Sequence, residues 1–142
     1  MTNHNMKNIA YIPRGTCNTR NIENELLLQK KLLHDFNCIT LDPSRLSHKS
    51  LISILATLDI LIFPSGAAGL LCIYCQKKCR IIELSPQTVL FAEIENQDYL
   101  SRGGEHYVYI CDEQFGLVGD GEPLVMALEY SRLSKFIVSL CL

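Results

Sequence analysis

The stretch DILIFPSGAAGLLCIYCQKKCRIIEL, residues 59–84, decides the fold. Two short apolar runs, at residues 59–63 and 80–84, stand on either side of a segment that predicts a helix from about 67 to 76. Strands that are apolar at nearly every position are typical of a parallel sheet that is covered on both faces. The stretch therefore predicts a strand–helix–strand unit, in which Pro64-Ser65-Gly66 separates the first strand from the helix.

The same alternation continues in both directions along the chain. Further strands are predicted at residues 8–12, 37–41 and 106–111, and further helices at about 21–35, 48–58, 88–101 and 123–139. Together these segments predict one α/β domain over residues 1–142, a doubly wound, mostly parallel five-stranded Rossmann-like sheet with helices on both faces. Numbered along the chain, the strands are expected in the order 3-2-1-4-5, with the fifth at an edge.

Side-chain periodicity adds detail to the first two helices. Asn18 or Thr19 is expected to cap the first helix, and Ser47 the second. The first helix is expected to turn one apolar face to the core, formed by Ile22, Leu26, Leu27, Leu33 and Phe36.

Composition excludes some classes of partner. The net charge is −2 and 48% of the residues are apolar, which argues against nucleic acid or an anionic membrane surface as partner. Seven cysteines, an odd number, and the polar start MTNHNMKN predict reduced thiols in a cytoplasmic, soluble protein without a membrane span. Cys72, Cys75 and Cys79 are interpreted as small apolar residues of a helix, so no metal site is expected.

Unusual residues follow the strands at the edge where doubly wound sheets bind ligands. Arg14 and Arg20 flank a small-residue turn after the first strand, and Ser65-Gly66-Ala67 follows the third. Arginine offers a planar fork to phosphate, and small residues let backbone N–H groups approach an oxyanion. These residues predict an anion site, although solvated arginines and close helix packing would also explain them. The spacing fits neither a P-loop nor a GxGxxG fingerprint, and no catalytic arrangement is readable, so the catalytic residues are unknown.

The order of these motifs resembles a known family. The chain has a first strand followed by Arg14, and then Arg20-x-x-x-Asn24-Glu25 at the start of a helix. Further on come an apolar strand that ends in Pro64-Ser65-Gly66-Ala67 and the motif Glu83-Leu84-Ser85-Pro86. In this order the motifs resemble the carboxyl-terminal half of glycosyltransferase family 61. The resemblance implies the donor half of an inverting GT-B enzyme. Such a domain holds a nucleotide-diphosphate sugar as substrate and needs neither a metal nor another cofactor to do so.

The resemblance also implies a set of donor-binding residues, namely Arg14, Arg20, Asn24, Glu25, Ser65, Gly66, Ala67, Glu83, Ser85 and Pro86. The two arginines would contact the diphosphate, and the Asn-Glu pair would order their loop or touch the donor. The Ser-Gly-Ala bend would lie against the sugar-diphosphate, and the last three residues would border the nucleoside. Ser65 stands where the family usually has histidine, and it is expected to lie in an exposed loop that would tolerate a larger side chain.

The family also needs an amino-terminal acceptor domain, and this chain is expected to begin at the donor half. We therefore expect it to be incomplete or inactive alone, unless a separate acceptor-domain chain or a homo-oligomer completes the cleft. One alternative is a non-catalytic Rossmann-like module that binds a nucleotide or a protein. Another is an unrelated flavodoxin-like protein.

Overall fold

The computed structural model describes residues 7–14, 21–86, 104–114 and 125–142. In this part of the chain the strands are β1 (Ile9–Tyr11), β2 (Asn21–Ile22), β3 (Ile39–Thr40), β4 (Ile60–Pro64), β5 (Arg80–Pro86), β6 (His106–Gln114) and β7 (Val125–Ala127). The α-helices are α1 (Glu25–Phe36), α2 (His48–Leu55) and α3 (Tyr130–Cys141), and two 3-10 helices cover Pro43–Arg45 and Ala67–Tyr74. The helix expected at residues 88–101 lies outside the described residues.

Five parallel strands, in the order β3-β1-β4-β5-β6, form the main sheet. The predicted α/β class with a doubly wound sheet is confirmed. The predicted order is wrong, because the first strand lies between the second and the third: Ala10 is paired with Ile39 on one side and Leu61 on the other. Burial explains this arrangement, since every residue of β1 is buried while both residues of the short strand β3 are exposed. An exposed two-residue strand suits an edge.

The fifth predicted strand, β6, is the outer strand of this parallel sheet, as expected, but the strand pairing continues beyond it. Its first part runs parallel to β5, and its last residues, Asp112–Gln114, pair antiparallel with β7. β2 then pairs parallel with β7. The last helix begins at Tyr130 and not near Pro123, because Val125–Ala127 forms the strand β7. A local helical pattern has here given way to tertiary contacts.

Helices cover both faces of the sheet, as predicted. On one face, Leu28 and Leu32 of α1 and Leu133 and Ile137 of α3 pack against β1, β4 and β5. On the other face, α2 and the 3-10 helix Ala67–Tyr74 pack against the same three strands. Alternate residues of each strand therefore enter different cores, as the two-residue period of a strand requires.

Helix α1 differs from its prediction in start and in buried face. It begins at Glu25 because Asn21–Ile22 belongs to β2, and its N-cap is Asn24, in the left-handed region with φ 54°. Asn18 and Thr19, the expected caps, lie outside the described residues. Leu28 and Leu32 are buried, whereas the leucines expected in the core are exposed, with fractions of 73%, 50% and 55% for Leu26, Leu27 and Leu33. The expected cap of α2 is confirmed, since the Ser47 hydroxyl accepts the Ser50 N–H at 3.1 Å.

Cys72, Cys75 and Cys79 are buried in the core under α2, as expected of small apolar residues. A hydrogen bond with Cys75 and burial raise the pKa of the Cys79 thiol, and burial raises the pKa of Cys38 to about 12. Raised pKa values disfavour the thiolate, which is the form that binds metals. Among the described residues, no group of three His, Cys, Asp or Glu side chains is placed to hold a metal ion. The described helices are all too short or too polar to cross a bilayer.

Candidate functional site

The candidate site lies where β1 and β4 end side by side. The two strands are parallel, and the Ile12 N–H continues their ladder by donating to the Ile62 carbonyl at 2.9 Å. The residues that follow, Arg14 after β1 and Ser65 after β4, therefore emerge at the same edge of the sheet. There Nη1 of Arg14 donates to the Ser65 carbonyl oxygen at 3.1 Å. The structure thus brings into direct contact two residues that follow different strands in the sequence.

Gly66 follows Ser65 in a conformation that favours glycine, with φ 151° and ψ −160°. A Cβ atom at this position would lie 2.5 Å from Nη1 of Arg14. The Gly66 N-cap leads directly into the 3-10 helix that begins at Ala67, and the Gly69 N–H donates to the Gly66 carbonyl at 3.1 Å. The backbone and the close guanidinium are therefore two separate reasons for glycine here.

Glu25, the first residue of α1, ties this helix to the end of β1. The left-handed Asn24 turns the chain just before the helix, and Oε2 of Glu25 then accepts two hydrogen bonds. One comes from the Tyr11 hydroxyl at 2.7 Å and the other from the Arg14 backbone N–H at 3.1 Å. The carboxylate therefore orders the turn that carries Arg14. Asn24 itself is exposed.

Ser65 and Ser85 are fully buried, and Glu83 is 1% exposed. The expectation that Ser65 lies in an exposed loop is therefore wrong: its N–H donates to the Leu84 carbonyl at 2.8 Å, so the pairing with β5 continues past Pro64, the last residue of β4. Pro86 ends β5. Arg20 lies outside the described residues, as do Gly15 and the rest of the turn between the two arginines.

Sequence reasoning missed two side chains close to these positions. One is His106, whose Nε2 lies 3.9 Å from Oε1 of the buried Glu83. The two residues are on neighbouring strands in parallel register, with Ile81 paired to His106, so they share a face two residues apart. The other is Tyr11, which lies within the strand predicted at residues 8–12. Its hydroxyl could have indicated a contact with a polar group, because a buried tyrosine usually has a hydrogen-bond partner.

A cavity of about 390 Å³ opens beside the contact between Arg14 and Gly66. Its walls are otherwise mostly apolar and include Pro43, Pro64 and Leu71. Its volume is within the usual range for small-molecule sites, and one cation among apolar walls is a common composition for them. A wider groove of about 1320 Å³ lies between the first half of α1, including Glu25, and the segment from Thr40 to Leu46.

Burial at Ser65 leads to the first testable prediction. Replacing Ser65 by histidine should lower the stability of the domain by about 1–3 kcal/mol, because an imidazole must be forced into a filled space. Chemical denaturation of the purified variant measures this loss. Ser65→Ala is the control and should change stability far less. If both variants unfold at the wild-type denaturant concentration, Ser65 is not enclosed as described.

A comparison with protein families gives one finding: the family model described as Glycosyltransferase 61 matches residues 1–82 of the 142-residue chain. The matched segment covers more than half of the chain. It contains both Arg14 and the Pro64–Gly66 bend, which meet in the structure. A search of curated proteins returned no match.

Proposed function

Because the chain belongs to glycosyltransferase family 61, we propose that this domain binds the nucleotide-diphosphate sugar donor of an inverting glycosyl transfer. The observation that carries the proposal is the meeting of the Arg14 guanidinium with the Ser65–Gly66 bend. This contact lies at the carboxyl edge of a parallel sheet, where doubly wound folds bind their ligands. In the wider enzyme the domain would be the donor half of a GT-B pair.

Charge and geometry suit a diphosphate at this edge. A guanidinium presents N–H groups in a planar fork that matches phosphate oxygens. The bond from Nη1 to the Ser65 carbonyl fixes the orientation of that fork beside the bend. The first amides of the helix after Gly66 have no carbonyl partner within the helix, as at any helix start, and they would face the same anion. We assign Arg20 to the same diphosphate from the other end of its turn.

The remaining predicted residues suit the rest of the donor. β5 lies next to β4, so Ser85 and Pro86 end close to the bend, and we propose that the nucleoside lies against this strand end. The Glu83 carboxylate is buried, so we propose that it stabilises β5 and does not touch the donor itself. Ala67 would border the sugar-diphosphate, and Asn24 would shape the turn at the start of α1.

Guanidinium groups would also assist the reaction without a metal ion. When the sugar leaves the donor, negative charge grows on the diphosphate, and fixed positive groups stabilise that charge. We therefore propose that Arg14 and Arg20 supply the charge that a divalent cation provides in other sugar-transferring enzymes.

The proton acceptor of the reaction is not assigned to this edge. The Glu25 carboxylate is bonded to the Arg14 backbone, but two hydrogen bonds commit its Oε2 to holding Tyr11 and Arg14 in place. We propose that an acceptor-binding unit, on another chain or in a homo-oligomer, faces the edge and supplies the base. The cytoplasmic location stays a prediction.

Calorimetric titration with uridine and guanosine diphosphates tests donor binding. We expect one of them to bind, and Arg20→Ala to weaken that binding by about 1.5–3 kcal/mol, the value of a charge-assisted hydrogen bond. Arg132→Ala is the matched control, because Arg132 is an arginine whose guanidinium lies over the ring of Tyr109 in β6, 5.6 Å from its centre. Binding of neither diphosphate would contradict the proposal, as would wild-type affinity in Arg20→Ala. Sugar transfer in the presence of the acceptor unit would separate an enzyme from a module that binds without turnover.

A further inference from the structure

Tyr11 is the polar exception in a buried strand. Its side chain is fully buried in the core between β1 and the two helices α1 and α3. Phenylalanine would fill the same space, so packing alone does not require the hydroxyl. The hydroxyl instead donates to Oε2 of Glu25 at 2.7 Å.

The same carboxylate oxygen accepts the backbone N–H of Arg14 at 3.1 Å. Tyr11, Glu25 and Arg14 thus form one hydrogen-bonded chain from the core to the edge of the sheet. Arg14 is held at both ends, by this bond at its backbone and by the bond from Nη1 to the Ser65 carbonyl.

We propose that Tyr11 is a positioning residue for the anion site. Its hydroxyl holds the Glu25 carboxylate where that group fixes the Arg14 backbone, and so aims the guanidinium at the Gly66 bend. Burial, and next the Glu25 charge, raise the pKa of Tyr11 well above its ordinary value, so the hydroxyl stays protonated and remains a donor. The consequence for ligand affinity rests on the donor-binding function proposed above, whereas the consequence for Arg14 does not.

The test compares two Tyr→Phe variants that each remove one hydroxyl bonded to a carboxylate of α1. Tyr11→Phe removes the bond to Glu25. Tyr130→Phe is the matched control, because its hydroxyl donates to Oδ2 of Asp35 at 2.6 Å, at the other end of the helix. Amide hydrogen exchange at Arg14, measured by NMR on the full chain, reports the position of the turn without any ligand. Titration with uridine and guanosine diphosphates then reports the anion site.

In Tyr11→Phe we expect exchange at the Arg14 amide to quicken about three- to tenfold and the diphosphate to bind more weakly by a similar factor. Tyr130→Phe should leave the Arg14 exchange rate and the diphosphate affinity unchanged, even if it lowers the melting temperature as much as Tyr11→Phe does. Glu25→Ala removes the acceptor of both bonds, so exchange at the Arg14 amide should quicken at least as much, and adding Tyr11→Phe to it should change nothing further.

If the amide of Arg14 exchanges at the same rate in the two Tyr→Phe variants, the proposal is overturned. Faster exchange in Tyr11→Phe with unchanged affinity for a bound diphosphate would also overturn it, since Arg14 would then not need its position. If the wild type binds no diphosphate while Tyr11→Phe still loosens the Arg14 amide, the donor function fails and the positioning of Arg14 by Tyr11 stands.

Discussion

Replacing Gly66 by alanine is expected to destabilise the domain by about 2–4 kcal/mol and to weaken diphosphate binding at the same time. The backbone of Gly66 is in a region of φ and ψ that L-residues rarely adopt, with φ 151°. The new methyl group would also lie 2.5 Å from Nη1 of Arg14. The guanidinium can swing away, but it then loses its bond to the Ser65 carbonyl and its orientation toward the ligand.

A double-mutant cycle separates these two causes. Chemical denaturation and calorimetry are run on Gly66→Ala, Arg14→Ala and the double variant. The backbone strain should persist in all proteins that carry alanine at position 66. The effect on affinity should not add, because Arg14 is already absent or displaced. Full additivity of the affinity losses would mean that Gly66 and Arg14 act on the ligand independently, against the contact seen here.

Arg14→Ala is expected to weaken binding of the diphosphate by about 1.5–3 kcal/mol, which is roughly a tenfold to 150-fold rise in Kd. The reason is the loss of a charged, oriented donor at the point where the two loops meet. Stability should fall less than in Gly66→Ala, because the Arg14 side chain is not in the core and no backbone strain is introduced.

Arg14→Lys is the informative companion. Lysine keeps the charge but lacks the planar fork that can bond Ser65 and face phosphate oxygens together. Its affinity should therefore lie between those of the wild type and Arg14→Ala. Equal affinity of the lysine variant and the wild type would show that charge alone matters. Wild-type affinity in Arg14→Ala would remove Arg14 from the site.

The fold class was readable from sequence because it depends on local signals. The apolar runs at residues 59–63 and 80–84 are buried strands in the structure, as their composition predicts. Strand order depends instead on which edges pair: the predicted order correctly placed β1 beside β3, but it placed β5 on the other side, where the structure has β4. The helix predicted from residue 123 is wrong at its start for a related reason, because β7 forms through pairing with the last residues of β6.

The candidate site divides in the same way. Parallel strands carry the loops that follow them to the same edge of the sheet, so a common edge for Arg14 and the Ser65–Gly66 bend could be predicted. Their direct contact could not, because the predicted order placed another strand between β1 and β4, which pair directly in the structure. The burial of Ser65 could not be predicted either, because it depends on a hydrogen bond to β5 beyond the end of β4. The role of Tyr11 depends on a partner fourteen residues away that reaches it through the left-handed turn at Asn24. Neither the periodicity of the strand nor that of the helix indicates this contact.

The most direct test of donor binding is an NMR titration of the labelled chain with the diphosphate that binds, following the Arg14 side-chain N–H groups and the Gly66 amide. We expect these signals to shift together and to saturate at one ligand per chain, with smaller changes at Ser85. Saturation that leaves both signals in place, with shifts clustered elsewhere, would contradict the account.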